Sequence, residues 1–480
     1  MYACSTWYIC GWRGFAAAQR AAEKAVQSIQ YQALHRISGA FKRTSRQALE
    51  VCLQVPPPEL TLTRLAEESC LRLMTSPLRS TLQSTRNQAH RNDPFTSPLH
   101  RLETAIDRKL GRGVCQRIET IHPFVVPPWW EPPDMRIDET REDAITAQTT
   151  TTTGVQFFTD GSGFDSGIGA AAYSPTLGYS ARPVGSSETH TVYAGELEGI
   201  DAALSLMIRN QGHSNVREAT IYTDNQAAIR ATCHPQRSSG QYILRRIVHQ
   251  LDLLRDPRSG WRVRLQWVPG HEGVPGNEEA DRLAKLAAVE AIQRTRENVR
   301  VARTNAPNQT TPHAARVTYN PYQSIILVAV CRQRLRAGFA DRWKEQWNGA
   351  EHGRHLHRIV QTPMKKVLQL HEGLRRAWSS VLIQLQTGKS ALRSFLASVG
   401  IEDSPHCQCG LGNQNTAHVL VSCPLHTDLR METLYKEARE TDDRRLLSEP
   451  HWVRRSIEFV LRTGLLTQFQ NTIPLVWRSQ

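Results

Sequence analysis

The sequence predicts an α/β fold between residues 154 and 290, with mainly α-helical regions before and after it. Two observations predict the sheet: five short apolar runs of β type, and helical periodicity in the stretches that separate the later runs. The order β-β-β-α-β-α-α-β-α indicates a mixed sheet with helices packed against it. A third observation concerns function, because four acidic residues fall at strand ends or on helices of this pattern.

The predicted strands are short runs rich in β-branched, aromatic and small apolar residues. In chain order they are VQFFTD, GIGAAAYSP, YSARPVG, ATIYTD and WRVRLQWVPG, of which the second and third form a hairpin. The predicted helices are YAGELEGIDAALSLMIRN, DNQAAIRAT, GQYILRRIVHQLDLLRD and NEEADRLAKLAAVEAIQR. Leu197, Ile200 and Leu204 recur at helical spacing in the first of these. Asn277 is predicted to cap the last helix.

Three further regions surround this fold. Residues 1–120 are predicted to be helical, with prolines 56–58 ending one helical stretch. Residues 121–153 are rich in proline and then in threonine, which is typical of an inter-domain linker. Residues 300–480 are predicted to be a basic helical region. Region 1–120 either packs as an independent helical domain or represents part of a larger enzyme.

Composition favours a polyanionic partner. The 480 residues carry a net charge of +14, which is typical of nucleic-acid-binding proteins, although a solvated basic surface is the alternative. Seven of the ten cysteines are scattered singly, which indicates a reducing compartment. No signal peptide and no apolar run of membrane-spanning length is found, so we expect an intracellular protein, nuclear or cytoplasmic, that is not secreted and has no membrane partner.

The four acidic residues predict a metal site. Asp160 and Asp224 end β-type runs, whereas Glu196 and Asp281 lie on predicted helices. Clustered carboxylates are the hard oxygen ligands that Mg²⁺ prefers, and Mn²⁺ accepts the same ligands. Two such ions side by side can support in-line hydrolysis of a phosphodiester. The sequence therefore predicts a two-metal nuclease.

Each of these residues also has a structural interpretation. An aspartate at a strand end is most often a turn former or helix cap, and Asp281 alone would be a solvated helix charge. Glu198 is a rival to Glu196, but two residues along a helix turn its side chain about 200° away. His271 lies in a glycine-rich loop, where an imidazole can exchange a proton near neutral pH. The combination of all five positions favours the functional interpretation.

The segments FFTDGS, YAGELEGI, IYTDNQAA and WVPGHEGVPGNEEADRLAK resemble the type 1 ribonuclease H domain over residues 155–290. The resemblance implies a five-stranded mixed sheet in the order 3-2-1-4-5 and hydrolysis of the RNA strand of an RNA–DNA hybrid, leaving 5′-phosphate and 3′-hydroxyl ends. It also implies a shared set of catalytic residues, of which the four carboxylates bind Mg²⁺. The implied catalytic residues are Asp160, Glu196, Asp224, His271 and Asp281.

Residues beside the first and third carboxylates are predicted substrate contacts. A protein distinguishes RNA from DNA through the 2′-hydroxyl, and glycine permits close backbone approach. Gly161 and Ser162 follow Asp160, whereas Asn225 and Gln226 follow Asp224. Caps and turns are the alternative roles for these four residues.

A cysteine–histidine cluster near the C-terminus predicts a zinc-knuckle-like segment at residues 407–423. Cys407, Cys409, His418 and Cys423 supply three thiolates and one imidazole, a set that suits tetrahedral Zn²⁺. Unrelated free cysteines are the alternative, and His406 or His426 could replace His418. We expect such a knuckle to bind single-stranded nucleic acid or to brace the fold.

Two flanking stretches resemble retrotransposon sequence. SIQYQALHRISGAFKRTSRQALEVCLQVPPPELTLTRLAEE is similar to the connection between reverse transcriptase and ribonuclease H in non-LTR (LINE-type) retrotransposon polyproteins, and residues 1–120 would then be a thumb or connection remnant. The cysteine–histidine region is similar to the region that follows ribonuclease H in these elements. No Tyr-x-Asp-Asp polymerase motif occurs in the chain. The alternatives to a hybrid nuclease are a catalytically silent nucleic-acid-binding remnant and, less compatible with WVPGHEGVPGNEEAD, DNA strand transfer.

Overall fold

The computed structural model describes residues 4, 8, 16–92, 97–151, 153–210, 216–257, 259–304, 325–436 and 439–472. They form two compact units. One comprises Met1–Ala66 with Arg336–Gln480, and the other comprises Glu67–Leu335. The expected division into consecutive regions therefore differs from the observed one, because the first 66 residues belong with the C-terminal part of the chain.

The described residues before the sheet form several helices. They are α1 (Ala16–Ser38), α2 (Arg46–Cys52), α3 (Pro58–Met74), α4 (Arg79–Asn92), α5 (Pro98–Leu110) and α6 (Val114–Arg117). Ser45 and Ser97 cap α2 and α5. Their side-chain oxygens accept hydrogen bonds from backbone N–H groups that have no partner within the helix at its start.

The sheet contains six strands rather than the five expected. The strands are β1 (Asp134–Arg136), β2 (Val155–Phe164), β3 (Gly167–Ser174), β4 (Gly178–Ser186), β5 (Glu218–Thr223) and β6 (Arg262–Trp267). Their spatial order is β1-β6-β5-β2-β3-β4, in which β2–β3 and β3–β4 are antiparallel and the other pairs are parallel. Strands β2 to β6 therefore confirm the predicted order 3-2-1-4-5.

The extra strand lies in the segment expected to be a linker. Strand β1 pairs in parallel with β6, and helix α7 (Arg141–Thr150) follows it. The proline and threonine content of this segment did not indicate a strand or a helix. Strand β1 depends on non-local pairing with β6 at the sheet edge, and the cap of α7 is a single residue, Thr140.

Helices cover both faces of the sheet. On one face lie α8 (Val192–Arg209), α9 (Gln226–Cys233) and α10 (Gln241–Arg255), which bury an apolar core that includes Phe157, Leu197 and Ile221. On the other face lies α11 (Pro275–Thr304), whose first turns pack near Phe158 and Tyr222. Adjacent residues of β2 point to opposite faces, so both layers are anchored on the same central strand.

Helix α11 begins earlier than the sequence suggested. Its first residue is Pro275, so Asn277 lies inside the first turn and is buried. The prediction that Asn277 is the cap is therefore wrong. Proline is well suited to the first helical position, which explains the earlier start.

The C-terminal helices pack around their own apolar cores. They are α12 (Val328–Asn348), α13 (Arg354–Ile359), α14 (Lys366–Gln369), α15 (Arg376–Thr387), α16 (Arg393–Ser398), α17 (Thr427–Thr433), α18 (Asp443–Leu446) and α19 (Pro450–Arg462). Helices α15 and α19 bury Leu382, Ile457 and Phe459 in one core. A second core joins α1 and α2 to Trp347 of α12. Among the described residues, no helix combines the length and apolar character that a bilayer crossing requires.

Candidate active site

Glycine brings the first two predicted carboxylates together. Asp160 lies in the middle of β2, and its neighbour Gly161 faces the start of α8. A Cβ at Gly161 would lie 2.1 Å from the backbone nitrogen of Glu196, so only glycine lets the helix approach this closely. The backbone of α8 therefore packs directly against Gly161, and this contact places Glu196 beside Asp160.

Asp224 completes the cluster from the end of the neighbouring strand. One carboxylate oxygen each from Asp160, Glu196 and Asp224 lies within 4.8 Å of the other two. Asp160 and Glu196 are only 6% and 5% exposed, and Glu196 Oε2 is buried without a hydrogen-bond partner among the described residues. Three acidic groups thus share a small space in which two of them are almost fully buried.

This crowding changes the protonation of the cluster. Burial, and then the charges of Asp224 and Asp281, raise the pKa of Asp160 to about 7. Burial and the charges of Asp160 and Asp224 also raise the pKa of Glu196 well above its usual range. Burial raises the pKa of Asp224 as well, although His271 opposes the rise. Without a compensating cation, the site therefore resists carrying its full negative charge.

The loop after β6 positions Asp224. Trp267 Nε1 donates a hydrogen bond of 3.0 Å to the backbone carbonyl of Asp224. A Cβ at Gly270 would lie 2.3 Å from Asp224 Oδ2, so the glycine leaves room for the carboxylate. The ends of β5 and β6 are in this way fixed to each other at the cluster.

Asp281 lies within hydrogen-bonding reach of Asp160 and also pairs with a lysine. Its carboxylate is close enough to raise the pKa of Asp160, yet Asp281 Oδ2 lies 2.5 Å from Lys285 Nζ. The residues whose oxygens lie within 4.8 Å of one another do not include Asp281. The structure therefore brings three of the four predicted metal ligands together and pairs the fourth with a lysine that the sequence analysis did not identify. Its position four residues after Asp281 was the available signal.

His271 lies in the exposed loop that leads into α11. Its φ is +58°, an unusual conformation for a residue with a side chain. Burial raises the pKa of Asp224 and His271 opposes that rise, so the imidazole lies within electrostatic reach of the cluster. The loop therefore presents an exposed, protonatable group beside the carboxylates.

Glu198 is directed away from the site, as its helical position suggested. It pairs with Arg246 at 2.6 Å, and Arg246 also pairs with Asp201 at 3.1 Å. Arg182 of β4 pairs with Asp201 at 2.6 Å. Glu198 thus belongs to a charge network that joins β4, α8 and α10.

The predicted substrate contacts have structural roles in the described residues. Asn225 Oδ1 accepts a hydrogen bond of 3.0 Å from Ala228 N and caps α9. Gln226 Oε1 accepts from Arg230 Nη2 at 3.1 Å, and Ser162 is buried in β2. Asn225 therefore acts as a helix cap, which was the alternative to its predicted role as a substrate contact.

A second candidate metal centre lies near the C-terminus. One ligand atom each from Cys407, Cys409, His418 and Cys423 lies within 4.8 Å of the others. Cys407 Sγ is 3.7 Å from Cys423 Sγ, and Cys409 Sγ is 3.3 Å from His418 Nε2. Neither His406 nor His426 belongs to this group of atoms. Three thiols and one imidazole are therefore arranged around a common point.

Buried Arg430 braces the segment that carries His418 and Cys423. It donates hydrogen bonds to the carbonyls of Leu420 (2.8 Å), Val419 (3.0 Å) and Cys423 (2.9 Å). Ser422 Oγ lies 3.2 Å from His418 Nδ1, the ring nitrogen on the other side from the cluster. Such outer contacts fix the orientation of a ligating imidazole.

Comparison with known proteins assigns the sheet-containing region. Residues 152–289 match the RNase H family, so the chain contains an RNase H domain. Over 99 residues the chain is 30% identical to the retrovirus-related Pol polyprotein from type-1 retrotransposable element R1 of Bradysia coprophila. That match covers 21% of this chain and about a tenth of the length of the relative.

A solved structure is also similar to this region. It is the N-terminal RNase H domain of rv2228c from Mycobacterium tuberculosis, solved as a fusion with maltose-binding protein. The sequence identity is 23%, and the match covers 29% of this chain and 99% of that chain, with a TM-score of 0.22.

Proposed function

We propose that residues 154–290 form a divalent-metal-dependent endoribonuclease that cleaves the RNA strand of RNA–DNA hybrids. The observation that carries this proposal is the cluster of buried Asp160 and Glu196 with half-buried Asp224, whose oxygens lie within 4.8 Å of one another. The match of residues 152–289 to the RNase H family supports the assignment of a hybrid substrate.

The donor set fits Mg²⁺ or Mn²⁺. All the candidate ligands are carboxylate oxygens, which hard cations prefer. Glu196 Oε2 is buried without a hydrogen-bond partner, and the raised pKa of Asp160 reflects negative charge that a cation would neutralise. Asp160, Glu196 and Asp224 would hold one ion, and Asp281 would join a second ion after leaving Lys285. Two such ions would polarise the scissile phosphate and acidify a water molecule.

The protein itself supplies position and proton transfer. Gly161 and Gly270 let Glu196 and Asp224 converge on Asp160, while Trp267 fixes the backbone of Asp224. His271, held in an exposed loop beside Asp224, would accept or return a proton at an imidazole nitrogen. These contacts place the acidic groups before substrate arrives, which reduces the reorganisation that the reaction requires.

The proposal is tested with a labelled RNA–DNA duplex. The Asp160→Asn variant keeps the size of the side chain but removes a charge from the cluster. We expect its Mg²⁺-dependent cleavage to fall by more than about a hundredfold, because mutating even a residue that only hydrogen-bonds to a metal ligand lowers activity by about 10- to 100-fold. Glu198→Gln is the matched control, because Glu198 lies on the same helix as Glu196 but pairs with Arg246. Equal activity of Asp160→Asn and the native protein would refute the proposal.

We also propose that Cys407, Cys409, His418 and Cys423 bind a structural Zn²⁺. The four ligand atoms lie within 4.8 Å of one another, and three thiols with one imidazole form a typical tetrahedral set. Metal analysis of the purified protein should give one zinc per chain, which Cys409→Ser should remove. We expect Cys331→Ser, at a buried cysteine outside the cluster, to retain the zinc.

The origin of the chain follows from its similarities. The match to an R1 polyprotein supports descent from a non-LTR retrotransposon, in which the hybrid nuclease would act on RNA paired with newly made DNA. In this proposal the zinc segment contributes to binding of single-stranded nucleic acid.

A further inference from the structure

Two exposed aromatic rings lie in the segment that precedes the RNase H domain. Phe124 and Trp129 are 82% and 81% exposed, although both rings are large and apolar. They belong to the sequence HPFVVPPWWEPP, in which five prolines restrict the backbone. We call residues 122–133 the aromatic strap.

The aromatic strap is fixed to the sheet-containing unit at both ends. Buried Gln241 of α10 accepts a hydrogen bond from His122 N at 2.7 Å and donates one to His122 O at 3.0 Å. Near the other end, Trp130 Nε1 donates to Asp252 at 2.9 Å, and the Arg255 guanidinium lies over the Trp130 ring. Trp130 is thus used for anchoring, whereas Phe124 and Trp129 leave most of their surfaces open to solvent.

A depression of about 790 Å³ lies along the aromatic strap. Its lining includes Phe124, Val126 and Trp130 from the strap, and His234 and Gln236 from the loop after α9. Among the described residues, none of those lining the depression carries a carboxylate, and the exposed Glu131 of the strap lies outside the lining. Arg237 of the same loop and Arg245 of α10 are exposed, and Arg245 is close enough to lower the pKa of His122. Apolar rings next to cationic groups are the combination that binds bases and phosphates together.

Helix α9 connects this depression to the carboxylate cluster. Its cap Asn225 directly follows Asp224, and its last residue, Cys233, lines the depression. Eight residues of α helix span about 12 Å, at ~1.5 Å per residue. A strand of nucleic acid held at the cluster is therefore within reach of the aromatic strap.

We propose that the aromatic strap is a binding site for single-stranded nucleic acid, in which bases stack on Phe124 and Trp129 and phosphates contact Arg237 and Arg245. Prolines and anchoring contacts restrict the backbone that carries the two rings, so less conformational entropy is lost on binding than in a flexible linker. The bound strand would be an unpaired end of the hybrid substrate, and this identification rests on the proposed function. The binding of single-stranded nucleic acid does not depend on the proposed function. A proline-recognising protein partner is the alternative occupant, and the positive charge beside the rings favours nucleic acid.

The test uses the full chain and a fluorescent oligodeoxythymidylate of about 15 nucleotides, which a ribonuclease does not cleave. Binding is followed by anisotropy across a series of salt concentrations. We expect Phe124→Ala/Trp129→Ala to weaken binding by roughly tenfold or more, because each stacked base contributes strongly and without charge. The dependence of affinity on salt should stay unchanged in this variant, whereas Arg237→Ala/Arg245→Ala should reduce it.

Two controls separate stacking from other effects. Trp129→Phe keeps a ring and should bind almost as well as the native protein, and Tyr179→Ala removes an exposed ring of a hairpin that does not line the depression. A photoreactive thiothymidine oligonucleotide should crosslink to the aromatic strap even if the zinc segment contributes to the total affinity. Unchanged affinity of Phe124→Ala/Trp129→Ala, or crosslinks confined to other regions, would overturn the proposal. Loss of hybrid cleavage with retained strap binding would refute only the proposed function.

Discussion

Lys285 Nζ lies 2.5 Å from Asp281 Oδ2, one turn further along α11. The lysine is half exposed, and its hydrogen bond to Asp281, followed by the charges of Asp281 and Asp160, raises its pKa. A lysine amine is therefore paired with the one carboxylate of the predicted set that lies outside the group of Asp160, Glu196 and Asp224. The pair is an internal competitor for the cation that the cluster is proposed to bind.

Removing this competitor should strengthen metal binding. We expect Lys285→Met to lower the Mg²⁺ concentration for half-saturation by about two- to fivefold, the range expected for a partly exposed ion pair. Calorimetric titration without substrate measures this directly. Arg282→Met is the matched control, because Arg282 pairs with Glu279 on the same helix. A weaker affinity in Lys285→Met would show that the lysine supports the metal site.

The stability of the metal-free protein should depend on pH through Asp160. Burial and neighbouring charges raise its pKa from 3.8 to about 7, so the folded state binds more protons than the unfolded state between these values. Stability should therefore increase as the pH falls through about 7 towards about 4. Asp160→Asn should reduce this dependence, as measured by chemical unfolding with a chelator present. Glu142→Gln, at an exposed residue of α7, should leave it unchanged; an equal slope in all three proteins would contradict the account.

His271 should affect turnover more than metal affinity. Asparagine tolerates the positive φ at this position, so His271→Asn should preserve the loop while removing the imidazole. We expect the rate of hybrid cleavage to fall by about a hundredfold, the lower range for general acid–base catalysis. The exposed His249 of α10 provides the control, His249→Asn. An unchanged rate would remove His271 from the proton-transfer role.

Arg430 should hold the proposed zinc segment together. Arg430→Met leaves three buried carbonyl groups without their donor, so we expect a loss of about 3 kcal/mol in the free energy of unfolding, at the upper end for hydrogen bonds with charged groups. Zinc release to a colorimetric chelator should also become faster. Lys436→Met, at an exposed residue shortly after α17, should change neither quantity. Unaltered stability of Arg430→Met would contradict the bracing role.

The sequence predicted the parts of this domain that depend on local pattern. The end of β5 just before Asp224 follows from an apolar run, and the direction of Glu198 follows from helical geometry. The expectation that Asp160 ends its strand is wrong, because pairing with β3 continues β2 as far as Phe164. The parts that depend on non-local contacts were not predictable in the same way. Pairing of β1 with β6 is set by the position of the sheet edge, which no local pattern in residues 121–153 reveals.

The candidate site shows the same division. Gly161 was expected to approach the substrate, whereas its closest neighbour is the backbone of Glu196, because the distance between β2 and α8 is a property of tertiary packing. Asn225 serves as a helix cap, an alternative that the sequence had left open. The exposed rings of the aromatic strap were part of a predicted linker, and their anchoring by Gln241 and Asp252 appears only in three dimensions.

The most direct test of the central claim is a cleavage assay with an RNA–DNA hybrid labelled on the RNA strand. The native chain should cleave the RNA with Mg²⁺, and both added chelator and the Asp160→Asn substitution should stop cleavage while the protein remains folded. Binding of the hybrid by the native chain without any cleavage in Mg²⁺ or Mn²⁺ would contradict the account and would support a silent nucleic-acid-binding remnant.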